Sequence, residues 1–73
     1  MAELKYEIIK NIGVLSESEK GWKKELNLVK WNEYAPKYDI RDWNEDHTRM
    51  GKGITLTEEE VKNLKNVIES SEQ

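Results

Sequence analysis

Pro36-Lys37-Tyr38-Asp39-Ile40-Arg41-Asp42-Trp43 is followed by the polar run Asn44-Glu45-Asp46-His47-Thr48-Arg49-Met50 and then by Gly51-Lys52-Gly53-Ile54-Thr55-Leu56. The first run alternates with the two-residue period of a strand, so Tyr38 and Ile40 share one face and Lys37, Asp39, Arg41 and Trp43 the other. The first face is expected to be core. The second is cationic and aromatic. The chain returns through Gly-Lys-Gly into a short strand at 52–56, and that strand leads directly into a helix opening with acidic residues.

The helix is announced by several signals at once. Thr57 stands as the N-cap with Glu60 three positions on, a Thr-x-x-Glu capping box, and Leu56 and Val61 take the flanking positions of a hydrophobic staple. Glu58, Glu59 and Glu60 suit the positive end of the helix dipole. Val61, Leu64 and Ile68 then repeat on one face. That stripe is narrow for a single helix on a single sheet, which assigns part of it (Val61, Leu64, Ile68) to contact with a second subunit. Residues Ser70 to Gln73 are expected to fray.

Upstream, residues 4–15 place Tyr6, Ile8, Ile12 and Val14 on one face against Lys5, Glu7 and Asn11, a half-buried strand. Ile9 and Leu15 break the alternation and predict a bulge or a second buried face. Ser16 to Gly21 is a polar turn. Residues 22–32 form a second strand, in which Leu26 and Leu28 share one face and Val29 and Trp31 the other. This apparent change of phase predicts a bulge or sharp twist at Leu28-Val29. Asn32 to Pro36 is a short connection. Four strands in succession predict an antiparallel meander, and the fold class is α+β with β-β-β-β-α order.

The 73 residues make one domain, 1–73, near the size at which a single core is only marginally stabilising. Cysteine is absent, so no disulfide framework or thiolate metal site supplements that core, and oligomerisation is the common remedy left. The chain lacks an apolar run of membrane-spanning length and a signal-peptide pattern, so it reads as soluble and cytoplasmic, with association with the nucleoid as an extension. The net charge of −3 is unevenly placed. Residues 57–73 hold five acids against two lysines, whereas residues 20–41 carry Lys20, Lys23, Lys24, Lys30, Lys37 and Arg41 against Glu25, Glu33 and Asp39. An acidic helix and a basic sheet are separate surfaces.

Trp22, Lys24, Lys30, Trp31, Tyr34, Lys37, Arg41, Trp43 and Lys52 interleave cations with aromatics on the strands. Single-stranded nucleic acid needs that mixture, because ammonium and guanidinium groups neutralise phosphates while flat side chains stack on bases left open by a missing partner strand. The bland alternative keeps the aromatics as core or dimer residues and the lysines as solvated strand positions. Gly51-Lys52-Gly53 lacks P-loop spacing and precedes a strand, which excludes nucleotide hydrolysis. His47 has no nucleophile motif or second base, so it is expected to be an exposed loop residue and the protein not an enzyme. Asp39, Asp42, Glu45 and Asp46 match no EF-hand spacing. No metal or cofactor is expected, and Asp39 and Asp42 serve better to orient Arg41 or Lys37.

With these residues in view, Trp22 to Asn32, the run Pro36 to Trp43, and Met50-Gly-Lys-Gly-Ile-Thr-Leu-Thr-Glu-Glu-Glu60 resemble the transcriptional coactivator positive cofactor four (p15-like) single-stranded DNA-binding family, in particular its small bacterial branch. The pairing of an Asp-Ile-Arg strand with a Gly-Lys-Gly-Ile-Thr-Leu strand that leads into a helix carries most of the resemblance. It implies a curved four-stranded antiparallel sheet followed by one C-terminal helix, a homodimer, and single strands held in channels along the sheets. Strand-binding positions of the family fall on Arg41, Trp43, Lys52 and Lys37. Eukaryotic relatives carry a long Ser- and Lys-rich N-terminal region that has no counterpart here, and the hairpin Asn32 to Lys37 holds a candidate aromatic but only one cation where they place an aromatic and closely spaced lysines. The base-stacking residue is open among Trp31, Tyr34 and Trp22. The expected function is binding of single-stranded DNA, with RNA as a second candidate, in transcription regulation, replication or repair. The competing expectation is a protein-interaction module that docks on RNA polymerase or another DNA-processing protein, of transcription or DNA repair, through the acidic helix.

Overall fold

The computed structural model describes residues 5–72. Four strands, β1 (Tyr6–Glu17), β2 (Lys23–Trp31), β3 (Lys37–Trp43) and β4 (Met50–Leu56), precede one helix, α1 (Glu58–Ser71). The strands form one antiparallel sheet in the order β1-β2-β3-β4. This is the expected meander, with short connections that follow from the turn residues. Gly21 takes φ 85 at the end of the first turn, where Ser18 also accepts from Trp22 N through its hydroxyl at 3.2 Å. Asn32 takes φ 49 in the connection that leads through Pro36 into β3. The predicted start of β1 at Leu4 lies outside the described residues.

The irregularity predicted in β1 is present and is regular in its spacing. Its register against β2 shifts between Ile8 and Lys10, between Asn11 and Gly13, and between Val14 and Ser16. The residues left over are Ile9, Ile12 and Leu15, and their side chains are 45, 41 and 57 % exposed. Each extra residue bends the strand and adds twist. The bulge expected at Leu28-Val29 falls on the neighbouring strand: β2 pairs with β3 without interruption from Lys23↔Trp43 to Val29↔Lys37, and the extra residue opposite Leu28-Val29 is Ile9 of β1. Val29 and Trp31 keep phase with Glu25 and Asn27, and the break in the apolar pattern arises because those two polar residues occupy buried positions.

The same fact reverses the expected division of faces. The fully buried side chains, Glu25, Asn27, Val29, Asp39 and Trp43, all lie on the side of the sheet that carries Arg41, whereas Leu26, Leu28, Tyr38 and Ile40 on the opposite side are only half-buried. Curvature is the cause. The sheet curls so far that Tyr6 of β1 reaches Trp43 of β3, with ring centroids 5.2 Å apart, and its hydroxyl donates to the His47 carbonyl at 2.6 Å. The concave side thereby becomes an interior.

β4 begins two residues earlier than predicted. Gly51 and Lys52 stand opposite the single residue Asp42, a bulge next to the tight approach at Gly53. A Cβ on Gly53 would lie 2.5 Å from the Ile40 carbonyl oxygen and 2.6 Å from Arg41 Cβ, so no other residue fits without displacement. The capping box of α1 is formed as the sequence predicts, with Glu60 N donating to Thr57 Oγ1 and Thr57 N to the Glu60 carboxylate. The helix continues through Ser70 and Ser71, where fraying was expected, because Ser71 Oγ donates to the Ile68 carbonyl and Glu72 N to that of Glu69. Gln73 lies outside the described residues. The helix packs loosely beside the convex side of the sheet, and none of its residues is fully buried.

Candidate nucleic-acid interface

Arg41 sits at the centre of the concave side. Its Nε and Nη2 donate to the two oxygens of Asp39 at 2.9 and 3.1 Å, and its Nη1 donates to the Gly51 carbonyl at 3.2 Å. The guanidinium also lies over the Trp31 ring, 5.1 Å from its centroid. Asp39 is 0 % exposed and accepts a further hydrogen bond from Thr55 Oγ1 at 3.0 Å. Asp39 therefore orients Arg41, as the sequence suggests. A bidentate carboxylate fixes the planar guanidinium in one orientation, and the bare backbone of Gly53 opposite Arg41 leaves room for it to cross the sheet. The Arg41 side chain is 17 % exposed, so a small part of its charge reaches solvent.

His47 is placed differently from expectation. It is half-buried, with φ 59, and turns back from its loop so that Nε2 lies 2.9 and 3.0 Å from the two Glu25 oxygens. Its ring packs 5.6 Å from that of Trp43. Glu25, itself 2 % exposed, also accepts from Asn11 Nδ2 and Asn27 Nδ2. A buried carboxylate requires such partners. The rest of the loop closes on itself: Asn44 Oδ1 accepts from Arg49 N, and the Thr48 hydroxyl and N–H donate to Asp46 and hold its carboxyl below the usual aspartate value.

The register divides the nine sequence-predicted binding residues between two sides, because residues paired across strands face the same way. Trp31, Lys37, Arg41 and Trp43 lie on the concave side, and Trp22, Lys24, Lys30 and Lys52 on the convex side. Tyr34 projects from the β2–β3 connection and is 70 % exposed. Trp43 is 0 % exposed. Its ring has no open face for a base, and it serves instead as the interior against which Tyr6 and His47 pack. Trp22 and Trp31 are half-buried. The Trp22 ring neighbours Gly51 at the bulge. Lys24, Lys37 and Lys52 are exposed, and Lys30 is half-buried.

Sequence reasoning passed over Lys23, which stands opposite Trp43 at the concave end of β2, and Lys5, which lines a shallow pocket with Lys30 and Asn32. Lys23 was discoverable once register is known, since an antiparallel pairing that starts at Val29↔Lys37 brings it beside Trp43. Among the described residues the carboxylates paired with basic side chains are Asp39, with Arg41, and Glu25, within hydrogen-bond distance of His47, so no lysine is held by a carboxylate. Among those residues, too, no three His, Asp or Glu side chains converge as a metal site, and no helix is long and apolar enough to cross a membrane.

The architecture is a curved four-stranded antiparallel sheet with one C-terminal helix, its lysines held by no carboxylate among the described residues. Residues 18–67 match the family described as Transcriptional Coactivator p15 (PC4), and the chain belongs to that family, which binds nucleic acid and is not enzymatic. A relative from Treponema pallidum (strain Nichols), an uncharacterized protein, is 46% identical over 65 residues, which span 89% of this chain and 76% of the relative.

Proposed function

We propose that this protein is a homodimer that binds single-stranded DNA, and RNA by the same chemistry, with little sequence preference, in a coactivator-like role in transcription regulation or in replication or repair. Lys24, Lys30, Lys37 and Lys52 neutralise phosphates, with Arg41 contributing what charge it leaves to solvent. Trp22, Trp31 and Tyr34 offer ring surface to bases. Trp43 is withdrawn from the stacking set and given to the interior.

The observation that carries this reading is the fate of the carboxylates. Glu25 and Asp39, both on the strands that hold the candidate cations, are buried and paired with His47 and Arg41. What the sheet presents to a polyanion is therefore its exposed ammonium groups, Lys24, Lys37 and Lys52, with neither of these carboxylates exposed beside them, and five of the acids behind the net charge of −3 lie apart on the helix and its C-terminal end.

Dimerisation is supported by the shortage of interior. Among the described residues Val29 and Trp43 are the buried apolar side chains, while Ile54, Leu64, Val67 and Ile68 are 55, 40, 65 and 50 % exposed. Leu26, Val61, Leu64 and Ile68 line an open groove of about 420 Å³ between helix and sheet. An apolar face of this kind on a domain this small calls for a covering surface. A second copy placed about a twofold would cover both grooves at once and leave two strand-binding surfaces, with Val61, Leu64 and Ile68 in the interface.

The test is anisotropy of labelled oligo-dT and of a matching duplex over a salt series. A preference for the single strand, with a log–log slope of about −0.7 per neutralised phosphate and quenching of Trp fluorescence, is the expected result. Lys37→Gln with Lys52→Gln weakens binding without touching the buried pairs. Equal affinity of that variant and the parent refutes the phosphate roles assigned to Lys37 and Lys52, and absence of binding at low salt refutes the function and leaves the acidic helix as a protein-docking element.

A further inference from the structure

We propose that Lys5, Lys30 and the Asn32 side-chain amide form a seat for one phosphate group of the bound strand, a site at the open end of the β1–β2 pair; this rests on the nucleic-acid reading above. The three residues, with Tyr6 and Glu7, line a pocket of about 190 Å³, large enough for a phosphate with part of its sugar.

The seat is built by backbone geometry. Asn32 N donates to the Lys5 carbonyl at 2.7 Å, and Lys5 N donates to Asn32 Oδ1 at 2.8 Å. The first bond continues the ladder one step past Tyr6↔Trp31, the second replaces the return ladder bond with the Asn32 side chain, and together they hold Lys5 opposite Asn32. Glu7 stands opposite Lys30 in the same ladder, so Lys5 and Lys30 are diagonal neighbours on one side of the pair, within reach for side chains of their length. With Oδ1 engaged, the Asn32 Nδ2 group has no partner among the described residues and is left as a donor beside two ammonium groups. Neither lysine is in an ion pair among those residues.

Glu7 reduces the field in the pocket, and that opposition gives the seat a signature. If a phosphate sits there, removing the acid tightens binding as surely as removing a lysine weakens it. The seat also extends the strand path. It lies on the convex side at the same end of the sheet as Tyr34, so a strand stacked on Tyr34 at the β2–β3 connection has a phosphate anchor at that end, on a residue distant in sequence from the rest of the cationic set.

The experiment compares the full-length parent with Lys5→Gln, Glu7→Gln, Lys52→Gln and the helix control Lys62→Gln. The probes are oligo-dT with a free 5′ hydroxyl, a 5′ phosphate or a 3′ phosphate, each over a salt series. Lys5→Gln is expected to lower the salt slope by about 0.7 and Glu7→Gln to raise the affinity, with Lys62→Gln unchanged. An equal loss on all three probes assigns the seat to an internal phosphate; a loss confined to one phosphorylated end assigns it to that terminus. Parental affinity and slope for both Lys5→Gln and Glu7→Gln, while Lys52→Gln weakens binding, overturns the seat and leaves the nucleic-acid reading intact. Absence of binding by the parent to all probes overturns both.

Discussion

Removing Arg41 is expected to act on the fold before it acts on any ligand. In Arg41→Ala, Asp39, 0 % exposed in the parent, loses both guanidinium contacts and keeps the Thr55 hydroxyl. Breaking a buried ion pair from one side costs about 3–5 kcal/mol. The guanidinium is 17 % exposed and Thr55 remains, which puts the expected loss at the lower end, about 3 kcal/mol. A 73-residue domain has a total stability of roughly 4–11 kcal/mol, so the variant keeps a folded population with little reserve. Guanidinium chloride unfolding followed by Trp fluorescence reads the loss, with protein concentration fixed because a dimer's midpoint depends on it. Asp39→Asn with Arg41→Met removes both charges and should recover more than about 1 kcal/mol of it. A loss below about 1 kcal/mol in the single variant, or a double variant no better than the single, refutes the view that Arg41 neutralises a buried carboxylate. It follows that failure of Arg41→Ala to bind DNA does not identify a phosphate contact.

Gly53→Ala forces its Cβ against the Ile40 carbonyl and the Arg41 side chain and should cost about 1–3 kcal/mol, by the same unfolding assay. Thr57→Ala removes the cap that accepts from Glu60 N; about 1 kcal/mol is expected, with loss of helical signal in far-UV circular dichroism on mild heating. Leu64→Asp with Ile68→Asp places charge in the groove beside the helix and should yield a monomer in sedimentation velocity. A parental sedimentation coefficient in that variant places the dimer contact elsewhere.

The strand order, the capping box and the pairing of Asp39 with Arg41 were legible because each rests on local chemistry: two-residue alternation, a Thr-x-x-Glu spacing, a carboxylate two positions from a guanidinium on one face. The inside of the sheet was not legible, for a definite reason. Apolar alternation identifies an interior when the interior is apolar, and here it holds Glu25, Asn27 and Asp39. Besides Asn27 and Arg41, two residues away, their partners come from far along the chain: Asn11 and His47 for Glu25, Thr55 for Asp39. Nothing near Glu25 in sequence announces His47. The same blindness made Val29 and Trp31 look out of phase and Trp43 look available for stacking. The cationic set was found by composition, whereas its division between two sides, and the place of Lys5 in it, needed the register.

The three bulges of β1 bear on how this sheet ends. A long edge strand with apolar side chains is an invitation to further strands, and Ile9, Ile12 and Leu15 are the kind of residues that growing fibrils recruit. An incoming strand, however, must match the spacing of amide and carbonyl groups along the edge, and here that spacing is reset three times between Ile8 and Ser16. A regular strand can stay in step with it for about three residues at a time. The edge can offer apolar contact to a shaped partner while refusing to act as a template for copies of itself, which separates stickiness from polymerisation.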